Sequence, residues 1–124
     1  MRACASCSAA MDEPAAAVAA MAGELTGSEL RDRLRIRSDQ VGSGYSRLTE
    51  SAAEALQLAA RTEGIALDPV YTARAMAGLL AAVKDGTITP GQTTVFWHTG
   101  GLPGLFGHAE AVNRFDAALQ RFPA

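Results

Sequence analysis

Aromatic side chains are scarce in this 124-residue chain: one Trp, two Tyr and four Phe, 6% of the sequence. Its core therefore leans on Ala, Leu and Val. Excess charge of one sign is also missing, since 11 basic and 13 acidic side chains leave a formal net charge of −2. That balance excludes a general nucleic-acid binder, which must neutralise many phosphates at once. No apolar run reaches the roughly 18 residues that cross a bilayer, so no membrane partner is expected. Cysteine is limited to Cys4 and Cys7, a single C-x-x-C. A zinc site needs about four ligands, and the two histidines, His98 and His108, stand far downstream at no finger or ribbon spacing. A thioredoxin-type pair follows a strand, whereas only Met1, Arg2 and Ala3 precede Cys4. The sequence therefore carries no metal site, and residues 1–12 read as an unstructured tail with reactive thiols. Ala3 to Ala10 contains no Leu, Ile, Val or Phe, and Asp12, Glu13 and Pro14 follow it. That stretch is too weakly apolar for a signal peptide, and a cytoplasmic chain is expected.

What is present is a globular composition, 48% hydrophobic and 19% charged. Its length supports one domain at most, read here as residues 13–124. A helix is expected from Glu13 to Leu25, with Pro14 admissible in its first turn. Leu34-Arg35-Ile36-Arg37 alternates apolar and charged residues as a half-buried strand does. Gly42-Ser43-Gly44-Tyr45-Ser46 is turn-rich and cannot be helix interior. Thr49 is the expected N-cap of a second helix, with Ser51 and Glu54 at capping-box spacing as an alternative start. That helix carries Ala52, Ala55, Leu56, Ala59 and Ala60 on one face, and Gly64 stands at its C-terminal cap. Asp68-Pro69 favours a break. A third helix is expected from Thr72 to Lys84, with Met76, Leu79, Leu80 and Val83 on one face. Thr93 to His98 reads as a buried strand entering a glycine loop. A last amphipathic helix places Val112, Phe115, Leu119 and Phe122 together. Helices alternating with short strands imply an α/β layer structure, with helices packed on a short, mostly parallel sheet.

Three loops can carry chemistry: Gly42 to Tyr45, Asp68 to Thr72, and His98 to Gly101. A buried strand that ends in Thr-Gly-Gly matches the place where open α/β sheets bind ligands, at the carboxyl ends of strands. Glycine lets a ligand approach the backbone, and the Thr99 hydroxyl can donate or accept. Read alone, each loop is equally a turn between elements.

Taken in order, they form a pattern. The run Arg61-Thr-Glu-Gly-Ile-Ala-Leu-Asp-Pro-Val-Tyr-Thr-Ala-Arg-Ala-Met-Ala-Gly-Leu is followed by Val95-Phe-Trp-His-Thr-Gly-Gly-Leu-Pro-Gly-Leu-Phe. Together these closely resemble the D-cysteine desulfhydrase and 1-aminocyclopropane-1-carboxylate deaminase family. The resemblance spans Thr26 to Phe106, about the last third of a family member; Met1 to Ala10 shows none. It implies a C-terminal portion of a fold type II (tryptophan-synthase-β-like) pyridoxal-phosphate enzyme, a small amino-acid substrate, and a homodimer for the intact enzyme. It also implies site residues. Tyr71 matches the tyrosine of the family's Asp-Pro-Val-Tyr, beside cofactor and substrate, with a part in proton transfer. Thr72 and Thr99 match substrate-side positions that resemble Glu and Leu in the deaminases and small hydroxyl residues in the desulfhydrases. Threonine at both tilts the reading to D-cysteine, with 1-aminocyclopropane-1-carboxylate as the alternative. Thr99 and Gly100 would stand near the cofactor's pyridine nitrogen.

One departure weighs against an active chain. A pyridoxal-phosphate enzyme needs a lysine amine for covalent attachment. The single lysine is Lys84, and the family does not place its cofactor lysine there. Lys84 reads as a cation at a helix C-terminus. The family's cofactor lysine and phosphate loop have no counterpart in these residues, which leaves a catalytically inactive remnant or interaction module as a further alternative.

Overall fold

The computed structural model describes residues 5–27, 35 and 37–119. The chain divides into two compact units, residues 1–38 and residues 39–124. Among the described residues of the first, one helix, α1, spans Ala5–Thr26. It begins well before Glu13, so residues 5–12 are helical rather than an unstructured tail, and Pro14 lies inside the helix rather than in its first turn. The reason is compositional: Ala is the strongest helix former, and this segment is dominated by it. Of the expected strand at 34–37, Leu34 and Ile36 lie outside the described residues. Arg35 and Arg37 belong to no strand.

The second unit holds four helices among the described residues: α2 (Glu50–Glu63), α3 (Thr72–Lys84), α4 (Leu102–Phe106) and α5 (Ala109–Leu119). The start and stop of α2 follow its sequence signals. The Thr49 side chain accepts the Ala52 N–H at 3.2 Å, satisfying one of the donors left open at a helix start. At the other end Gly64 adopts the left-handed conformation and donates to Ala60 O, while Ile65 donates to Ala59 O. These paired bonds close the last turn.

The core forms where α2 meets α3. Ala52, Leu56, Ala59, Leu67, Ala73, Leu105 and Ala111 are buried together, with Leu48, Met76 and Phe96 packed on them. On α2 the expected face is the observed one, except that Ala60 is half-buried and Ala53 is buried in addition. On α3 the face differs. Thr72, Ala73, Ala77 and Ala82 are the buried residues, Met76, Leu79 and Leu80 are half-buried, and Val83 is exposed. Small side chains let two helix backbones approach closely, so alanine takes the contact and the larger residues are left at its margin. Arg114 of α5 reaches Glu50 at the start of α2, at 2.8 Å. Val112 on α5 is exposed; the Phe115 and Leu119 side chains and all of Phe122 lie outside the described residues.

The sheet expected from Thr93–His98 is not formed, and no strand occurs among the described residues. Val95 and Trp97 are 79% and 80% exposed, and Phe96 between them is half-buried against the core. A strand exists only through hydrogen bonds to neighbouring strands. Residues 93–97 have none among the described residues, so an apolar, β-branched composition alone does not make them a strand.

Candidate active site

The site begins with Asp68, which is 2% exposed. Its Oδ1 accepts the Thr72 N–H and the Thr72 hydroxyl, both at 2.8 Å, and its Oδ2 accepts the Val70 and Tyr71 N–H groups, both at 2.8 Å. The Asp68 N–H in turn donates to Thr72 Oγ1 at 2.8 Å. Burial pushes the Asp68 carboxyl up, but the hydrogen bonds from Thr72, Tyr71 and Val70 outweigh it and hold the group below the usual carboxylate range. Pro69 follows naturally, because its missing N–H and fixed φ suit the opening of a helix. Asp68 is thus the effective cap of α3. Thr72 is buried by this arrangement, and Tyr71 is left 60% exposed.

The glycine loop docks on the same carboxylate. Gly101 has φ +98°, and a Cβ at that position would stand 2.7 Å from Asp68 Oδ1. Only a residue without a side chain permits this approach. His98 ties the loop from the other side. Its Nε2 donates to Ala66 O at 3.0 Å, and its Nδ1 accepts the Gly100 N–H at 3.0 Å. Thr99 and Gly100 are exposed between these anchors. The Thr99 hydroxyl has no hydrogen-bond partner among the described residues.

The third loop comes to the same helix. Arg74 of α3 donates to Val41 O at 2.6 Å, Gly44 O at 2.9 Å and Arg47 O at 2.6 Å. His108 Nε2 donates to Ser46 O at 3.0 Å, while its Nδ1 accepts the Ala111 N–H at 3.3 Å within the first turn of α5. Held in this way, the Tyr45 hydroxyl hydrogen-bonds the Tyr71 hydroxyl, and the two rings meet edge to face with centroids 6.1 Å apart. The bond from Tyr45 pushes the Tyr71 phenol above its ordinary range, helped by desolvation and by the nearby Tyr45 and Asp68.

All three loops singled out in the sequence therefore converge at the N-terminal end of α3. Tyr71 and Thr72 occupy one turn, and Thr99 and Gly100 belong to the loop docked on that turn's carboxylate. Tyr45 was visible only as part of its loop; no spacing rule pairs it with a tyrosine 26 residues away. Lys84 is not in the cluster. It lies at the opposite end of α3, a helix of 13 residues, about 18 Å from Thr72 at 1.5 Å per residue. Among the described residues no group of three or more His, Cys, Asp or Glu could hold a metal ion, and no helix is long and apolar enough to cross a membrane.

The family model for pyridoxal-phosphate dependent enzymes matches residues 2–100. The match begins at residue 2, so the family likeness includes most of the Ala- and Cys-rich start in which none was expected. D-cysteine desulfhydrases of Salmonella paratyphi B, Salmonella typhi and Salmonella newport are each 37% identical over 89 residues, 72% of this chain. That stretch is 27% of their length, so the chain spans little more than a quarter of these relatives. With most of its length inside the family model, the chain belongs to the pyridoxal-phosphate dependent enzyme family.

Proposed function

We propose that this chain forms the Tyr71- and Thr99-bearing part of a lyase of the D-cysteine desulfhydrase type. The reaction is α,β-elimination, in which D-cysteine and water yield pyruvate, hydrogen sulfide and ammonia. The observation that carries the proposal is the convergence of the three loops on Asp68 and Tyr71.

In this reading Thr99 and Gly100 would hold one edge of pyridoxal phosphate. Thr99 supplies a neutral hydroxyl suited to the pyridine nitrogen, and beside it Gly100 leaves nothing within 4 Å of where a Cβ would stand. Pyridoxal phosphate, when bound, supplies the electron sink for cleavage at the substrate's α and β carbons. Tyr71 holds and moves a proton at its phenolic oxygen, with Tyr45 as its hydrogen-bond partner. Asp68 does not touch substrate in this reading; it fixes the spacing between the Tyr71 turn and the Thr99 loop. The covalent amine is not in this set, since Lys84 is remote, and it comes from residues outside this chain.

Thr72 favours D-cysteine over the 1-aminocyclopropane-1-carboxylate alternative. Its buried hydroxyl is engaged twice with Asp68, and the glutamate of the deaminases would set a second carboxylate beside the first. The position of Lys84 favours a second reading, a catalytically inactive chain that acts through interactions. A homodimer belongs to the proposal through the same family resemblance.

A chimera separates these readings. The matching residues of this chain replace their counterparts in a Salmonella D-cysteine desulfhydrase, which retains its own amine. The expected result is pyruvate and sulfide release from D-cysteine, with at least a tenfold slower rate in Tyr71→Phe and unchanged cofactor absorbance. A folded, cofactor-loaded chimera that releases neither product would overturn the lyase reading and leave the interaction module.

A further inference from the structure

Arg74 stands three residues after Tyr71 on α3, at a spacing that puts two side chains on one face of a helix. Among the described residues its guanidinium contacts no acid. Instead it donates to the carbonyls of Val41, Gly44 and Arg47, which bracket Tyr45 on both sides in sequence. The loop so held is not self-supporting. Gly42 and Ser46 both have positive φ, +72° and +59°, and Ser46 is a residue that seldom adopts it. A planar fork of five donors suits diverging carbonyls, whereas the single ammonium of a lysine cannot serve three of them with the same geometry. The Arg74 Nε is itself buried with no hydrogen-bond partner among the described residues. Leaving that donor unsatisfied costs free energy, which the two nitrogens directed at the loop offset.

We infer that Arg74 is a positioning residue that sets the Tyr45 hydroxyl against the Tyr71 hydroxyl by clamping the Val41–Arg47 loop to the first turn of α3. The inference rests on the proposed role of Tyr71, but its geometry belongs to this chain alone and requires neither cofactor nor turnover. Arg74 acts through Tyr45 and reaches no reacting atom.

The chain contains two tyrosines, and they are this pair. A near-ultraviolet phenolate titration of the full chain therefore reads the contact directly, because the one Trp does not ionise. The wild type is expected to show a step above the ordinary tyrosine range. Tyr45→Phe is expected to lower the Tyr71 step, which ties the elevation to the pair. Arg74→Ala is expected to lower it by roughly half a pH unit or more, with helix content by circular dichroism unchanged. The sign discriminates. Removal of a nearby cation by itself raises a phenol's pKa, so only the lost pairing lowers it. Arg74→Lys keeps the charge and stem and is expected to fall between wild type and Arg74→Ala. If Arg74→Ala fails to fold, the lysine variant alone decides. No downward shift in a folded Arg74 variant, or no raised step in the wild type, overturns the inference.

Discussion

Both carboxylate oxygens of Asp68 are occupied by the turn that Asp68 itself opens, and the glycine loop rests on the same group. One residue therefore stabilises the start of α3 and sets where Thr99 stands relative to Tyr71. Asp68→Ala leaves the buried Thr72 N–H and the part-buried Val70 and Tyr71 N–H groups without an acceptor and is expected to cost about 2–4 kcal/mol, read as a lowered urea midpoint. Asp68→Asn should cost less than Asp68→Ala, since it keeps the shape and one neutral oxygen acceptor, although the charge is lost and its NH2 cannot accept the N–H groups the other oxygen held. The pH dependence has a definite sign. The folded-state pKa lies below the unfolded value, so this stabilisation is complete above about pH 4 and is lost as pH falls through the folded pKa. A urea midpoint in Asp68→Ala that falls in parallel with the wild type between about pH 5 and pH 2 would contradict this account.

The helices differ in how openly the sequence announces them. Thr49 and Gly64 are legible as the ends of α2 because capping is local: each acts on backbone groups within a few residues of itself. The boundaries of α3 were equally visible, but its buried face was not. Hydrophobicity points to Leu79, Leu80 and Val83, yet close helix approach selects Ala73 and Ala77, and that choice depends on the partner helix. Between elements a tight constraint is Gly101, where the turn before α3 meets the start of α4. Gly101→Ala puts a methyl group within 2.9 Å of the Cβ, Cγ and Oδ1 of Asp68. Because the φ there is also positive, the expected loss is about 1–3 kcal/mol. Hydrogen exchange is expected to rise first at Gly100, whose N–H bonds to His98. Unchanged stability in this variant would mean that the two loops do not meet as described.

The second unit exposes a good deal of apolar surface. Tyr45, Tyr71, Val95, Trp97 and Phe106 are each at least 60% exposed. Exposed apolar groups on this scale drive association in solution. Trp97 is the single tryptophan, which makes the consequence easy to read. Its emission is expected to be red-shifted and readily quenched at low protein concentration, and to shift to the blue as concentration rises. Trp97→Ser combined with Val95→Thr should reduce light scattering without moving the helix signal. A Trp97 already shielded in dilute solution would contradict the exposed geometry.

Local chemistry by itself determined the ends of α2 and α3 and the Asp-Pro opening of α3, and a family motif pointed to the three loops with Tyr71, Thr72, Thr99 and Gly100. Each of these depends on groups a few residues apart, or on a motif that survives as a short string. Tertiary structure decided what depends on distant partners. Tyr45 became part of the candidate site because Arg74 of α3 and His108, just before α5, hold its loop. Thr93–His98 stayed out of a sheet because a strand needs neighbouring backbone, and no composition of its own residues can supply that.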